Sequence, residues 1–232
     1  MADQMNYKVV QGWEQLPKGF AHRDVAGVAV DQEDRVFLIC RGENPVIVYD
    51  RQGNFLRTWG KGDFSMRTHG IYVAPNGTIF ATDDGNHTVR QFTPEGRLLM
   101  TMGTLNVPSD TGYDGKTTGS IKHAGPPFNR PTNVAIGPKG DIYISDGYGN
   151  ARVHMFSPSG QLKRSWGEPG DGPGQFRLPH GIARRRRTGA CSCATAKSTA
   201  FRSLARTANS SSSGPIHNAR RTSRSMPRAM SM

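Results

Sequence analysis

Two short strings in this 232-residue chain hold a histidine in the same setting: Arg67-Thr68-His69-Gly70-Ile71 and Leu178-Pro179-His180-Gly181-Ile182. Neutral imidazole is a common ligand for borderline metal ions, so two histidines in one register could share a metal. The competing reading is local, each ring capping the entry to a strand through a hydrogen bond. His22, His87, His123 and His154 fit no such string and read as surface or loop residues. Asp83, Asp84 and Asp146 fall at turns, where carboxylates cap backbone amides. Cys40, Cys191 and Cys193 give no disulfide framework, and the Cys191-x-Cys193 spacing is too short for the usual zinc pairs.

The histidines belong to a repeat. "GVAVDQEDRVFLICRGENPVIVYDRQGNFLRTWG", "GIYVAPNGTIFATDDGNHTVRQFTPEGRLLMTMG" and "NVAIGPKGDIYISDGYGNARVHMFSPSGQLKRSWG" align with one another. Each has two apolar runs split by a polar turn, then a third run ending in Tyr49, Phe92 or Phe156. A further turn leads to a fourth run closing on Trp59-Gly60, Met102-Gly103 or Trp166-Gly167. β-Branched and aromatic runs separated by Pro, Asn and Gly predict four short antiparallel strands per unit. Val28 to Ile71 is 43 residues and Val134 to Ile182 is 48, whereas Ile71 to Val134 is 63 because an insertion at 104–127 interrupts the spacing. Four strands in about 45 residues predict an all-β fold, a β-propeller of four-stranded blades. The innermost strand of a blade lines the central channel, so the histidine position faces the axis. Matched histidines on different blades could share one ion at the axis, and neutral imidazoles suit Zn²⁺.

The pattern stops inside "LPHGIARRRRTGACSC". Residues 184–232 hold 11 Lys and Arg and no acid, while the first 183 hold 19 basic and 18 acidic side chains, so the tail carries +11 of the net +12. Read one base out of step from Arg187, the codons permit "[D/N]-G-R-V-L-V-C-D-R-E-x-[N/D]-R-I-Q-I-F-S-P-D-G-E-F-L", which is what a fourth blade requires. The reading is therefore a partial propeller at 7–183 and an out-of-frame, disordered basic tail at 184–232, a division that resequencing the coding DNA checks. The alternative is a natural tail that binds nucleic acid. With the charge confined there, nucleic acid is not an expected partner of the patterned region.

The strings "RDVAGVAVD", "RTHGIYV", "FNRPTNVAIGPKGDIYISDGYGNARVHMFSPSG" and "WGEPGDGPGQFRLPHGI" resemble the NHL-repeat six-bladed propellers related to peptidyl-α-hydroxyglycine α-amidating lyase. The resemblance covers residues 7–183 and implies a metal-dependent carbon–nitrogen lyase acting on a small-molecule or peptide carbinolamide. It implies that His69 and His180 are two of three Zn²⁺ ligands, the third belonging to a blade this chain lacks. Tyr148 matches the family's active-site tyrosine, a candidate base beside the metal, and Arg41 its arginine, a candidate carboxylate anchor. A structural Ca²⁺ is implied at the backbone carbonyls of Val28 and Ile71. The family's disulfide positions correspond to Asn129 and Gly149, and loss of both cysteines fits a reducing compartment.

On this reading the chain is a truncated, inactive member of the family. The alternative is a non-catalytic NHL propeller presenting loops such as 104–127 to a protein or ligand. No run suits a secretory signal or a membrane span, so a cytoplasmic location with no membrane partner and no obligate oligomer is expected. Three blades would leave one face of each terminal blade open, which predicts poor solubility.

Overall fold

The computed structural model describes residues 7–184, 191–195 and 201–204. The first sheet joins β1 (Val25–Val30), β2 (Val36–Cys40), β3 (Val46–Tyr49) and β4 (Phe55–Trp59) in chain order. The second joins β5 (Thr68–Val73), β6 (Ile79–Asp83), β7 (Thr88–Phe92) and β8 (Leu98–Met102). The third joins β9 (Pro131–Ile136), β10 (Ile142–Asp146), β11 (Arg152–Phe156) and β12 (Leu162–Trp166). A short parallel pair, β13 (Glu168–Pro169) with β14 (Gln175–Phe176), leads to β15 (Pro179–Arg184). All neighbouring strands within the three four-stranded sheets are antiparallel, as the alternating turns predict.

The innermost strands β1, β5, β9 and β15 contact one another in succession. The sheets therefore fan out from a shared axis as propeller blades. Each inter-blade face is filled by the apolar runs. Phe37, Ile39 and Val46 of blade 1 meet Ile71, Ile79 and Phe92 of blade 2. Phe80 and Val89 of blade 2 meet Val134, Ile144 and Phe156 of blade 3. Burying a side chain of this size stabilises by roughly 1.5–3 kcal/mol, so these faces dominate the fold. The turn between the first two strands needs a left-handed residue. Gly77 and Gly140 supply it at φ 81°, and in blade 1 Asp34 takes the place at φ 59°.

The tail is not wholly apart from the propeller. β16 (Cys191–Thr195) pairs with β15, and β17 (Phe201–Leu204) pairs with β16. Ile182 faces Cys193 as Val134 faces Ile144 and Ile71 faces Ala81. Ala194 faces Phe201 as Ser145 faces Val153 and Thr82 faces Val89. Residues 191–195 and 201–204 thus occupy the blade-four places to which the shifted reading assigns V-L-V-C-D and I-Q-I-F. Cys193 is buried against Ala135, Val153 and Phe176. The other tail positions lie outside the described residues.

On the face of blade 1 turned from blade 2, the N-terminal segment lays Trp13 and Leu16 over Cys40, Ile47 and Tyr49. Val28 and Val30 remain 60% and 53% exposed. The predicted open face is thus covered over its outer strands and open at its inner one. Among the described residues no helix is long and apolar enough to cross a membrane.

Candidate functional site

In each blade the first two strands slip register by one residue. The slip falls between Thr68 and Gly70 in blade 2 and between Pro179 and Gly181 in blade 4. His69 and His180 are therefore the bulged residues, with Ala26 and Thr132 at the corresponding places in blades 1 and 3. A β-bulge leaves its extra residue outside the ladder and re-aims its side chain. That local geometry turns both rings to one point, with centroids 4.7 Å apart.

Tyr148, in the turn after β10, completes the trio. Its hydroxyl lies 3.2 Å from His69 Nε2 and 3.0 Å from His180 Nε2. The network assigns the protons. His69 Nδ1 lies 2.8 Å from the Thr132 carbonyl, which can only accept, so Nδ1 carries the hydrogen. Neutral His69 then presents a lone pair at Nε2, which accepts the Tyr148 O–H, and His180 Nε2–H donates to the Tyr148 oxygen. Burial lowers the pKa of both histidines, with the His69–His180 repulsion adding to it at His69. Burial, then the nearby Asp84 carboxylate, raises that of Tyr148, while Arg41 and Arg67 oppose the rise. The trio is thus neutral near pH 7.

Arg41 stands beside this group. Its Nε–H donates to the Thr68 carbonyl at 3.1 Å and its Nη1–H to Asp24 at 2.8 Å, so it is anchored one residue before His69. Val28 and Ile71 occupy equivalent registers on adjacent inner strands, opposite Leu38 and Ala81. No cluster of three or more His, Cys, Asp or Glu side chains able to hold a metal forms among the described residues. The donor set nonetheless suits a metal in one respect. A carbonyl-bound Nδ1–H that orients Nε2 is the outer support a metal-ligating histidine uses, and His69 has it.

His154 and Asp84 stand differently from expectation, whereas Asp83 and Asp146 accept backbone amides as expected. His154 is not at the surface: it is fully buried on β11, with Nδ1 2.7 Å from Ser165 Oγ and Nε2 3.4 Å from Asp146. Asp83 caps its turn, accepting from the Gly85 and Asn86 amides. Asp84 instead holds Arg67 in a two-point ion pair at 2.6 and 3.0 Å. Asp146 accepts from the Asn129 amide and the Asn150 side chain, tying in the chain that enters blade 3. The Gly149 amide donates to the Asn129 carbonyl, so the two disulfide-equivalent positions are neighbours. Burial raises the Cys40 thiol to about 11 and that of Cys193 to about 12, which leaves neither as a nucleophile. Repeat alignment did not single out Arg67, Arg130 or Tyr113, because they lie on blade entries and the insertion.

The family described as NHL repeat matches residues 128–156. Human NHL repeat-containing protein 3 is 30% identical over 76% of this chain and half of its own length. Peptidylglycine alpha-amidating monooxygenase of Rattus norvegicus is 28% identical over 74% of this chain and 21% of its own. Peptidyl-alpha-hydroxyglycine alpha-amidating lyase 1 of Drosophila melanogaster is 34% identical over 47% of this chain and 18% of its own. The chain thus spans from about a fifth to half of these relatives. A streptogramin B lyase structure superposes with a TM-score of 0.59 at 13% identity, over 80% of this chain and 52% of that one. A gluconolactonase from Xanthomonas campestris superposes at 0.52 and 18%, over 76% and 57%. Both share the fold. The chain folds as a β-propeller, carries an NHL repeat at residues 128–156, and is homologous to the peptidyl-α-hydroxyglycine α-amidating lyases and to NHL-repeat proteins.

Proposed function

We propose that the His69–Tyr148–His180 cluster is the reacting end of a lyase site that cleaves a carbinolamide of the peptidyl-α-hydroxyglycine type. The observation that carries this reading is the convergence of both Nε2 atoms on the Tyr148 hydroxyl from two equivalent bulges. His69 and His180 would hold the zinc, and a metal there supplies positive charge that polarises oxygen and lowers the pKa of a neighbouring phenol. Tyr148 would act as the phenolate that such a metal favours, its own proton already given up, and its Oη is then the atom at which the substrate's α-hydroxyl proton is taken up. As that O–H is lost the carbinol carbon becomes a carbonyl, the C–N bond breaks, and the amide nitrogen takes a proton. The products are an amide and glyoxylate, with no net oxidation. Arg41 is the candidate anchor for the glyoxylate carboxylate, a guanidinium suiting two-point contact. Calcium at the Val28 and Ile71 carbonyls would be structural.

The test uses N-benzoyl-α-hydroxyglycine and protein whose frame is restored after residue 183. Glyoxylate release that depends on zinc and is abolished in His69→Ala is expected. Absence of stoichiometric zinc, or release unaffected by His69→Ala, overturns the assignment. A second reading, a non-catalytic binding propeller, draws on the insertion, which is held to blade 3 by the Thr111 hydroxyl on the Gly149 carbonyl and by Asn129 Nδ2 on the Ser109 carbonyl. Ligand binding without zinc or glyoxylate would favour it.

A further inference from the structure

Two arginines outside the aligned repeat are held at one turn of blade 2: Arg67 pairs with Asp84, and the Arg130 amide donates to His87. Arg67 begins the entry to β5, two residues before His69, and Arg130 the entry to β9, two residues before Thr132, which holds the equivalent bulge place. The Arg130 guanidinium lies over the Tyr113 ring, 5.4 Å from its centroid. Arg67 is within electrostatic reach of both Tyr113 and Tyr148. Arg67 and Arg130 are thus both tied to the turn after β6, through Asp84 and His87, and Tyr113 lies within reach of both.

The two cations differ in their counter-charges. Arg67 is neutralised by Asp84, which has no exposure, yet its own side chain is 49% exposed. Asp84 fixes the guanidinium without covering it. Arg130 is half-buried, and among the described residues no carboxylate lies within ion-pair distance of its guanidinium. Its backbone is in the left-handed region at φ 68°, and its amide donates to Nδ1 of His87, itself at φ 61°. A bulky residue in that conformation persists where its surroundings over-determine it. A half-buried cation held in this way, with no carboxylate partner among the described residues, leaves one positive charge near the Arg67–Asp84 pair uncompensated.

We propose that Arg67 and Arg130, with the Tyr113 ring under Arg130, form a subsite for a carboxylate borne on the acyl side of the substrate, away from the carbinol carbon. This rests on reading the His69–Tyr148–His180 cluster as the reacting end. Arg41 serves the carboxylate beside the broken bond, and the subsite selects substrates carrying a second one. Arg67 and Arg130 are specificity-determining residues, and Asp84 is the positioning residue for Arg67.

The test is binding, so it needs no turnover. N-Succinylglycine and its uncharged counterpart N-succinamoylglycine share the glycine carboxylate and differ only at the distal group. Each is titrated into the full 232-residue chain and followed by ¹H–¹⁵N NMR. The acidic ligand is expected to bind about tenfold more tightly, as one charge-assisted contact provides. Arg130→Gln should bring the ratio to within about twofold, Arg130→Lys should retain part of it, and salt should weaken it. Should Arg130→Gln fail to fold, Tyr113→Ala removes the stacking partner from the insertion and should also reduce the ratio. Equal affinity for the two ligands, or a preference untouched in folded Arg130 and Tyr113 variants, overturns the subsite. A protein that releases glyoxylate but shows no acidic preference keeps the lyase reading and loses this one. The reverse result does the opposite.

Discussion

Blade 1 and blades 2 and 3 solve one packing position in opposite ways. Where β2 ends, blade 1 has Cys40, and the adjacent inward position on β3 is Ile47; both are buried under Trp13 and Leu16. At the same register blade 2 has Asp83 with Arg90, and blade 3 has Asp146 with His154. All four of these polar groups are buried. The difference follows from what each position must hold. Asp83 accepts from the amide and hydroxyl of Ser65, and Asp146 accepts from the amide of Asn129. Ser65 and Asn129 lie on the chain entering the bulges of His69 and Thr132. The acids thus fix the chain just ahead of the site, whereas in blade 1 the bulge carries only Ala26 and an apolar pair suffices.

The sharpest way to break this contrast is to remove an acid. Asp83→Ala strands the Ser65 and Asn86 donors and leaves Arg90, whose side chain is 9% exposed, with its charge unpaired. Removing one partner of a buried pair costs about 3–5 kcal/mol, much of the stability of a domain this size. Cys40→Ala deletes one buried sulfur and should cost about 1 kcal/mol. Urea denaturation of the two variants should separate their midpoints accordingly, and equal shifts would show that the acid has no special role.

Acidification should reach the same blades next. Burial holds His69, His180 and His87 below the ordinary imidazole range. Between the folded and unfolded pKa values the unfolded chain binds more protons, so stability rises with pH there. The contribution is fully present above about 6.5 and is lost as pH falls towards the folded values. The urea midpoint should drop between pH 7.5 and 5.5, and His69→Gln should drop less, having given up one titrating ring. Ala26, in the same bulge of blade 1, adds nothing to the slope, so Ala26→Ser should leave it unchanged.

Much of this was legible before any coordinates. Four strands per unit, the turn glycines and the matched histidines all follow from a repeat in which period and turn chemistry agree. What the repeat could not show was why His69 and His180 leave the ladder, because the bulge is a pairing event between strands and not a residue type. Nor could it find Arg67, Arg130 and Tyr113, which lie on two blade entries and on an insertion with no counterpart in the other blades. The burial of His154 is hidden from the sequence for a related reason. A histidine at an inward strand position reads as polar until its partner, Asp146, is known to face it across the blade. The tail shows the converse. Its printed residues lack the blade pattern, yet Cys191–Thr195 and Phe201–Leu204 take the blade register that the shifted reading requires.

The smallest effects lie at the first turn of each blade, where blades 1 and 2 differ only in how they reach a left-handed backbone. Gly77 stands at φ 81° with open space where a Cβ would project, so Gly77→Ala meets no neighbour and isolates the backbone cost. That cost is about 1–2 kcal/mol, reduced by roughly 0.4–1 kcal/mol because alanine restricts the unfolded chain. A net loss near 1 kcal/mol is expected. Asp34 already bears the strain at φ 59°, and Asp31 stabilises its turn by accepting from the Glu33 and Arg35 amides. Asp34→Gly relieves the strain, adds unfolded-state entropy of about the same size, and gives up an exposed pair with Arg51 worth little. The two changes should therefore differ in midpoint, Gly77→Ala lower and Asp34→Gly within about 0.5 kcal/mol of the parent. If Asp34→Gly instead destabilised as much as Gly77→Ala, the Asp34 side chain would be holding the turn, and blade 1 would differ from blade 2 in mechanism as well as in residue.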